Sequence, residues 1–214
     1  MIKEDIHLHS NFSDGKNSIE EMTKMAIKLG LKQIAFPEHV RRDTKWLDQY
    51  VAEIERIKKK YPQIKILSGI EAKVIDLEGN IDAKKEFFKK VDLVFGAFHR
   101  IPKGKEEYLT REEIFSNKKR AFKLWYQAMM KLLENKNVKI IAHPTAILKK
   151  YKIRVPTFAK EKIAQKAKQY RKIFEINKKY KVPDKVFLKI LKRNKIKFVY
   201  GSDSHSTKEL KKYH

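Results

Sequence analysis

Short apolar runs recur along the chain, and between them apolar positions fall three and four residues apart, so extended and helical patterns alternate from one end to the other. The runs predict strands at Glu4 to His7, Gln33 to Phe36, Ile64 to Ile70, Leu93 to Phe98, Lys139 to His143, Lys172 to Ile176 and Lys197 to Gly201. Helices are predicted to begin near Ser18, Thr44, Asp82, Thr110, Pro156 and Pro183, with a short one after Ser206. Ser18 with Glu21, and Thr110 with Glu113, have the spacing of a capping box, and Pro183 suits the first turn of a helix. The segment Lys73 to Ile81, with Gly79 and Asn80 near its middle, predicts a small hairpin.

Alternation of this kind builds parallel βα units. Seven of them in 214 residues predict one α/β domain spanning residues 1–214, a small TIM-like (β/α)7 barrel with one unit fewer than the usual eight. An open doubly wound sheet is the alternative. The polar residues separate the two, because His7, His9, His39, Glu71, His99, His143, Asp203 and His205 all fall at the C-terminal ends of predicted strands. A closed barrel brings those ends into one ring, whereas in an open sheet, with ~4.8 Å between neighbouring strands, the outermost ends stand too far apart to share a cluster.

Composition narrows the chemistry. The chain has no cysteine, so disulfides and thiolate metal sites are excluded and any metal must be bound through nitrogen and oxygen. A formal net charge of +25 raises the possibility of a nucleic-acid partner. Lysine is nevertheless spread over nearly every predicted helix, the pattern of solvated helix faces. The opening MIKEDIHLHS lacks the apolar core of a secretory signal, and no apolar run approaches the roughly 20 residues that span a bilayer. A cytoplasmic location is expected.

Of seven histidines only His214 lies away from the strand ends. Satisfied core histidines would not concentrate there, whereas imidazole is a common neutral ligand of Zn, Mn and Fe, so the set predicts a metal centre of several ions. In His7-Leu8-His9 side chains two apart on a strand point the same way, and Asp203 and His205 repeat that spacing, with Gly201 allowing close backbone approach. Closely spaced cations require anionic ligands, for which Glu71 and Asp203 are the candidates. Asp14 in NFSDG is a further candidate ligand or an ordinary Asx turn. Glu38 and His39 should face opposite ways unless Pro37 distorts the strand, so His39 is expected at the metal and Glu38 behind an imidazole. Arg100, next to His99, is the candidate phosphate clamp, while Arg41, Arg42, Lys73 and Arg154 lie on predicted loops at the same end.

These residues stand in motifs: HLHSNFSDG at 7–15, PEH at 37–39, GIE at 69–71, His99 in FHR, AHP at 142–144 and GSDSH at 201–205. In order and over the whole chain they resemble the PHP family of polymerase and histidinol phosphatase domains. The resemblance implies a distorted (β/α)7 barrel with two or three divalent ions, Zn, Mn or Fe, at its C-terminal face. Carried over by position, His7, His9, Glu71 and Asp203 would hold one ion, Glu71, His99 and His143 a second, and Asp14, His39 and His205 a third. The chain departs from the commoner pattern at Glu38, where many relatives carry Asp, and at Arg100. It is expected to lack the further domains of polymerase members. The implied reaction is hydrolysis of a phosphate ester by metal-activated hydroxide; Asp203 or His205 as proton donor and Arg100 on the phosphate are expectations read from this chain's own residues. A small phosphomonoester like histidinol phosphate is the leading substrate. Nucleotide or oligonucleotide diesters come second, and a non-catalytic nucleic-acid-binding module with a structural metal third.

Overall fold

The computed structural model describes residues 3–214. Seven parallel strands, β1 (Glu4–Asp5), β2 (Gln33–Val40), β3 (Lys65–Lys73), β4 (Leu93–Ala97), β5 (Ile140–Ile141), β6 (Ile173–Asn177) and β7 (Lys197–Gly201), stand side by side in chain order. The first and last strands meet: Ile6 N–H donates to Tyr200 O at 2.7 Å, His9 N–H donates to Ser204 O at 3.0 Å, and Leu8 bridges Ser204 in parallel register. The sheet is thereby a nearly closed TIM-like barrel of (β/α)7 type, and the open-sheet alternative falls away.

Helices α1 (Ile19–Lys28), α2 (Leu47–Lys60), α3 (Arg111–Ser116), α4 (Lys118–Leu132), α5 (Ala146–Lys150), α6 (Thr157–Gln169), α7 (Lys185–Arg193) and α8 (Thr207–Tyr213) connect and cover the strands. Both capping boxes form, Ser18 with Glu21 and Thr110 with Glu113. Asn117 ends α3 and caps α4, which splits one expected helix in two. The segment after Asp82 makes only a 3-10 turn, Lys85–Lys89, and Thr44 accepts the Arg41 N–H in a turn ahead of α2. Pro183 precedes α7 rather than opening it, because Asp184 is the residue whose carboxylate accepts the Phe187 N–H. The hairpin appears where expected: Val74 pairs antiparallel with Ile81, and Gly79 takes φ +73 at the turn, where added carbon would strike the α4 backbone. β1 and β5 are two residues each, shorter than their apolar runs, while β2 and β3 run on to Val40 and Lys73.

Along the strands alternate residues face the interior. On β2 these are Ala35, Pro37 and His39; on β3 Leu67, Gly69 and Glu71; on β4 Phe95 and Ala97, followed by His99; on β6 Ile173, Glu175 and Asn177. The lower positions are apolar and the upper ones polar. A separate, larger apolar layer lies between strands and helices, with Phe36, Ile54, Trp125, Phe174 and Phe187 fully buried.

Candidate metal centre

At the barrel mouth Glu71, buried and paired in register with His39 across β2 and β3, is the hub. Its carboxylate oxygens lie 2.8 Å from His39 Nδ1, 2.9 Å from His143 Nε2, 3.5 Å from His99 Nε2, 3.6 Å from His7 Nε2 and 3.9 Å from His9 Nε2. Burial alone would push its carboxyl upward, but His99, His7, His39 and His143 outweigh burial and hold it well below the ordinary range.

The remaining donors close the ring. His9 Nε2 stands 3.2 Å from Asp203 Oδ1 and 3.1 Å from His7 Nε2, and His205 Nε2 stands 3.2 Å from Asp14 Oδ1. Three groups could each hold an ion: His7, His9 and Asp203; His39, Glu71 and His99; and His9, Asp14, His39 and His205. Within each, the ligand atoms lie inside 4.8 Å of one another. All nine residues expected from the motifs are therefore assembled in one place. The grouping differs in that His39 reaches Glu71 as well as Asp14, His9 lies near Asp14 as well as Asp203, Glu71 is absent from the group of His7, His9 and Asp203, and His143 meets Glu71 at 2.9 Å without entering any of the three.

The donor set fits divalent cations on its own chemistry. Two oxygens of one buried carboxylate cannot satisfy five imidazoles, and five adjacent imidazolium ions would repel one another. Glu71 Oε2, His9 Nδ1 and His143 Nδ1 are buried without a hydrogen-bond partner, a costly arrangement that ligation at Glu71 would relieve. Donors of one tetrahedral ion at ~2.0–2.2 Å stand roughly 3–3.5 Å apart, the spacing found here from His9 to His7 and to Asp203, while His7 and Asp203 stand 3.8 Å apart. Two members, His143 with φ 26 and Asp203 with φ 52, occupy left-handed backbone that disfavours non-glycine residues, strain of the kind held at functional sites.

Below the donors lies a residue that the sequence pattern did not single out. Glu175 on β6 is fully buried; Oε1 is 3.0 Å from His7 Nδ1 and accepts from Asn177 Nδ2 at 2.7 Å, while Oε2 accepts the His143 backbone N–H at 2.5 Å. A carboxylate at Nδ1 keeps the proton there and turns the Nε2 lone pair toward the mouth. Burial opposes a charge on His7, but Glu175 and Glu71 override it and raise its pKa. Gly201 makes room for this tie, because a Cβ there would collide with the Glu175 carboxylate and come within 2.6 Å of His7 Cβ.

Glu38 stands behind an imidazole as expected, Oε2 4.0 Å from His9 Nδ1, but its hydrogen bonds go elsewhere. β2 runs regularly through Pro37, and Glu38 hydrogen-bonds no imidazole: Oε1 accepts Ser10 N–H at 2.8 Å and the Ser10 hydroxyl at 2.5 Å, and Oε2 accepts the Ser13 hydroxyl. It braces the loop that carries His9 and Asp14. Its burial, set against those hydrogen bonds, raises its pKa to about 7. Arg100 is exposed at the rim, 5.7 Å from the Tyr108 ring centroid, and lines a cavity of about 740 Å³ with Asp14, His39, Glu71, Lys73 and His99. On the other side of His99 a cavity of about 510 Å³ is lined by His143, Lys149, Lys179 and Tyr180. No helix is long and apolar enough to cross a membrane among the described residues.

Comparison with known proteins agrees with the motifs. A family model described as PHP domain matches residues 5–181. A protein named "Probable phosphatase" from Acetivibrio thermocellus is 27% identical over 224 residues, covering 98% of this chain and 82% of its own. The solved structure of hisK from Listeria monocytogenes superposes with a TM-score of 0.79 at 19% identity, covering 97% of both chains. The histidinol phosphate phosphatase of Lactococcus lactis, solved with Zn, L-histidinol and phosphate, gives a TM-score of 0.71 at 22% identity, covering 96% of this chain and 87% of its own. At those identities the two structures speak for the fold.

Proposed function

The chain belongs to the PHP domain family, and from that premise we propose that it is a metal-dependent phosphoesterase acting on a small phosphomonoester. The observation that carries this reading is the buried Glu71 carboxylate with His7, His9, His39, His99 and His143 all within 4.0 Å. Relatives named as phosphatases, and a Lactococcus structure holding Zn, L-histidinol and phosphate, support the substrate class.

His7, His9 and Asp203 would hold one ion, His39, Glu71, His99 and His143 a second, and Asp14, His39 and His205 a third when present. Bound there, Zn, Mn or Fe would acidify water toward neutrality and neutralise charge on the phosphoryl oxygens. The residues do the positioning. Glu175 fixes the tautomer of His7, and the Asp203 carbonyl, 3.0 Å from His205 Nδ1, does the same for His205. Arg100, with Lys73 beside it on the wall of the same cavity, supplies cations for a phosphate that enters over His99.

Proton delivery to the leaving oxygen falls to His205 when it is not a ligand. Burial opposes its charge, but Asp14 and Asp203 raise its pKa, which favours the protonated form that a donor needs. Asp203, held well below the ordinary range by His9 and His7 despite its burial, is ionised and acts as an acceptor.

Metal analysis of purified protein, followed by assays on histidinol phosphate, p-nitrophenyl phosphate and bis-p-nitrophenyl phosphate with Zn, Mn and Fe, tests the reading. The monoesters are expected to turn over, and His9→Ala or Asp203→Asn to abolish turnover in a folded protein. Faster hydrolysis of the diester by orders of magnitude would replace the monoester reading with a nucleotide or oligonucleotide diesterase. Absence of hydrolysis with every metal would defeat the phosphoesterase reading itself.

A further inference from the structure

Six of the seven histidines stand around the metal centre, and the seventh is engaged elsewhere. His214, the residue after α8, lies against the seam between the first and last strands, with its side chain only 5% exposed. Its Nε2 is 2.9 Å from Oδ2 of Asp5, a fully buried carboxylate on β1. Lys178, just past β6, reaches the same ring: its Nζ is 3.1 Å from Nδ1 and 3.3 Å from Nε2, and it donates to Tyr213 O at 3.0 Å. An ammonium only donates and a carboxylate only accepts, so Nδ1 takes the lysine proton and Nε2 carries the hydrogen that meets Asp5. The pair is not a cation site, because the Lys178 ammonium already faces the open nitrogen.

Asp5 passes the contact on. Its Oδ1 accepts the His7 N–H at 3.2 Å and the Ser202 N–H at 2.9 Å. One oxygen therefore holds both sides of the seam, at a donor of the metal centre on β1 and at the neighbour of Asp203 beyond β7. His7 is held twice, by Glu175 at its ring and by Asp5 at its backbone. Asp203, at φ 52, sits in backbone that its residue type disfavours, so the segment leading into it needs an external tie. Among the described residues His214 is the only basic side chain within 4.0 Å of Asp5. Without it, Oδ2 of a buried carboxylate would lose its hydrogen-bond partner, a costly state that favours rearrangement of the seam.

The geometry points to His214 as a positioning residue for the metal centre: through Asp5 it fixes the backbone of His7 and of Ser202, and so the spacing of the donors His7, His9 and Asp203. The inference rests on the proposed metal centre and adds to it a residue that touches neither ion nor substrate.

The test is titration of the metal-free full chain with Co(II) against a chelating dye, with the visible absorption of bound cobalt followed in parallel. His214→Ala is expected to weaken one ion by about tenfold and to shift its absorption bands, with the other ions unchanged. His214→Gln, whose Nε2 amide can donate where the imidazole does, should restore both. Thermal melts establish that each variant is folded. Unchanged affinity and spectrum in His214→Ala, or an equal loss at every ion, would overturn the inference and leave the metal centre standing. A wild-type chain that bound no cobalt would overturn the metal centre and the inference with it.

Discussion

Low in the barrel, interior positions are held by Ala35, Leu67, Phe95, Ala97, Ile140 and Ile173; further along, strands of the same sheet present His39, Glu71, His99 and His143. The lower layer is stabilised by taking apolar surface from water and tolerates any well-packed set of similar volume. The upper layer is costly to bury, is strained at His143 and Asp203, and leaves polar atoms without partners. The apolar layer sets where the strand ends lie, and the polar layer draws on that rigidity to keep unfavourable neighbours together.

Variants can break this division of labour. Glu71→Gln should have the largest effect, because it removes the anion that five imidazoles share; several kcal/mol of lost charge stabilisation is about a thousandfold in turnover, and the metal-free protein should lose stability as well, since the same carboxylate holds the imidazolium charges. Steady-state kinetics and a urea titration of the same sample check both halves. Phe95→Ala works the other way: it should cost about 3–5 kcal/mol in urea unfolding, since Phe95 is fully buried beneath His7, while chemistry survives wherever the barrel still folds. Gly201→Ala sits on the boundary and should do both, losing about 1–3 kcal/mol through overpacking and loosening metal by pushing Glu175 from His7. Glu175→Gln should weaken metal affinity by about 10–100-fold with little change in thermal stability, measured by competition with a chelating dye.

The smallest effect is in protons. Burial lowers the pKa of His7, His39, His143 and His205, but neighbouring carboxylates outweigh it and leave all four raised. With folded values above the unfolded 6.5, these ion pairs stabilise the metal-free protein fully below 6.5 and lose that contribution as pH rises through the raised values. Metal must displace the same protons, so affinity should increase with pH, and calorimetry near neutrality should show a binding enthalpy that depends on the buffer's ionisation enthalpy. An enthalpy identical in buffers of different ionisation enthalpy would contradict the raised values.

Much of this was legible from residue order. Strand ends marked by His39, Glu71 and His99 are readable because an imidazole or carboxylate closing an apolar run has little reason to be there except chemistry. Glu175 was hidden for the converse reason: inside the run Lys172 to Ile176 a lone glutamate looks like the solvent side of a strand, and only the inward parity it shares with Ile173 and Asn177 would have revealed it. The same-face argument for Asp203 and His205 reached the right place by another geometry, since Asp203 lies past the end of β7 in left-handed backbone. Helix α5 escaped notice because Pro144 reads as a terminator, whereas the chain turns into a helix two residues later.

The join between first and last strands has a consequence for the order of events in the cell. His7 and His9 leave the ribosome well before Asp203, which lies beside them across the seam but on the far side of every other strand in sequence. Until then the pair faces a gap, so an ion held as proposed by all three could be captured only after translation of the final strand. Loading with metal would in this sense be a late inspection, passed only by chains whose first and last barrel strands have met.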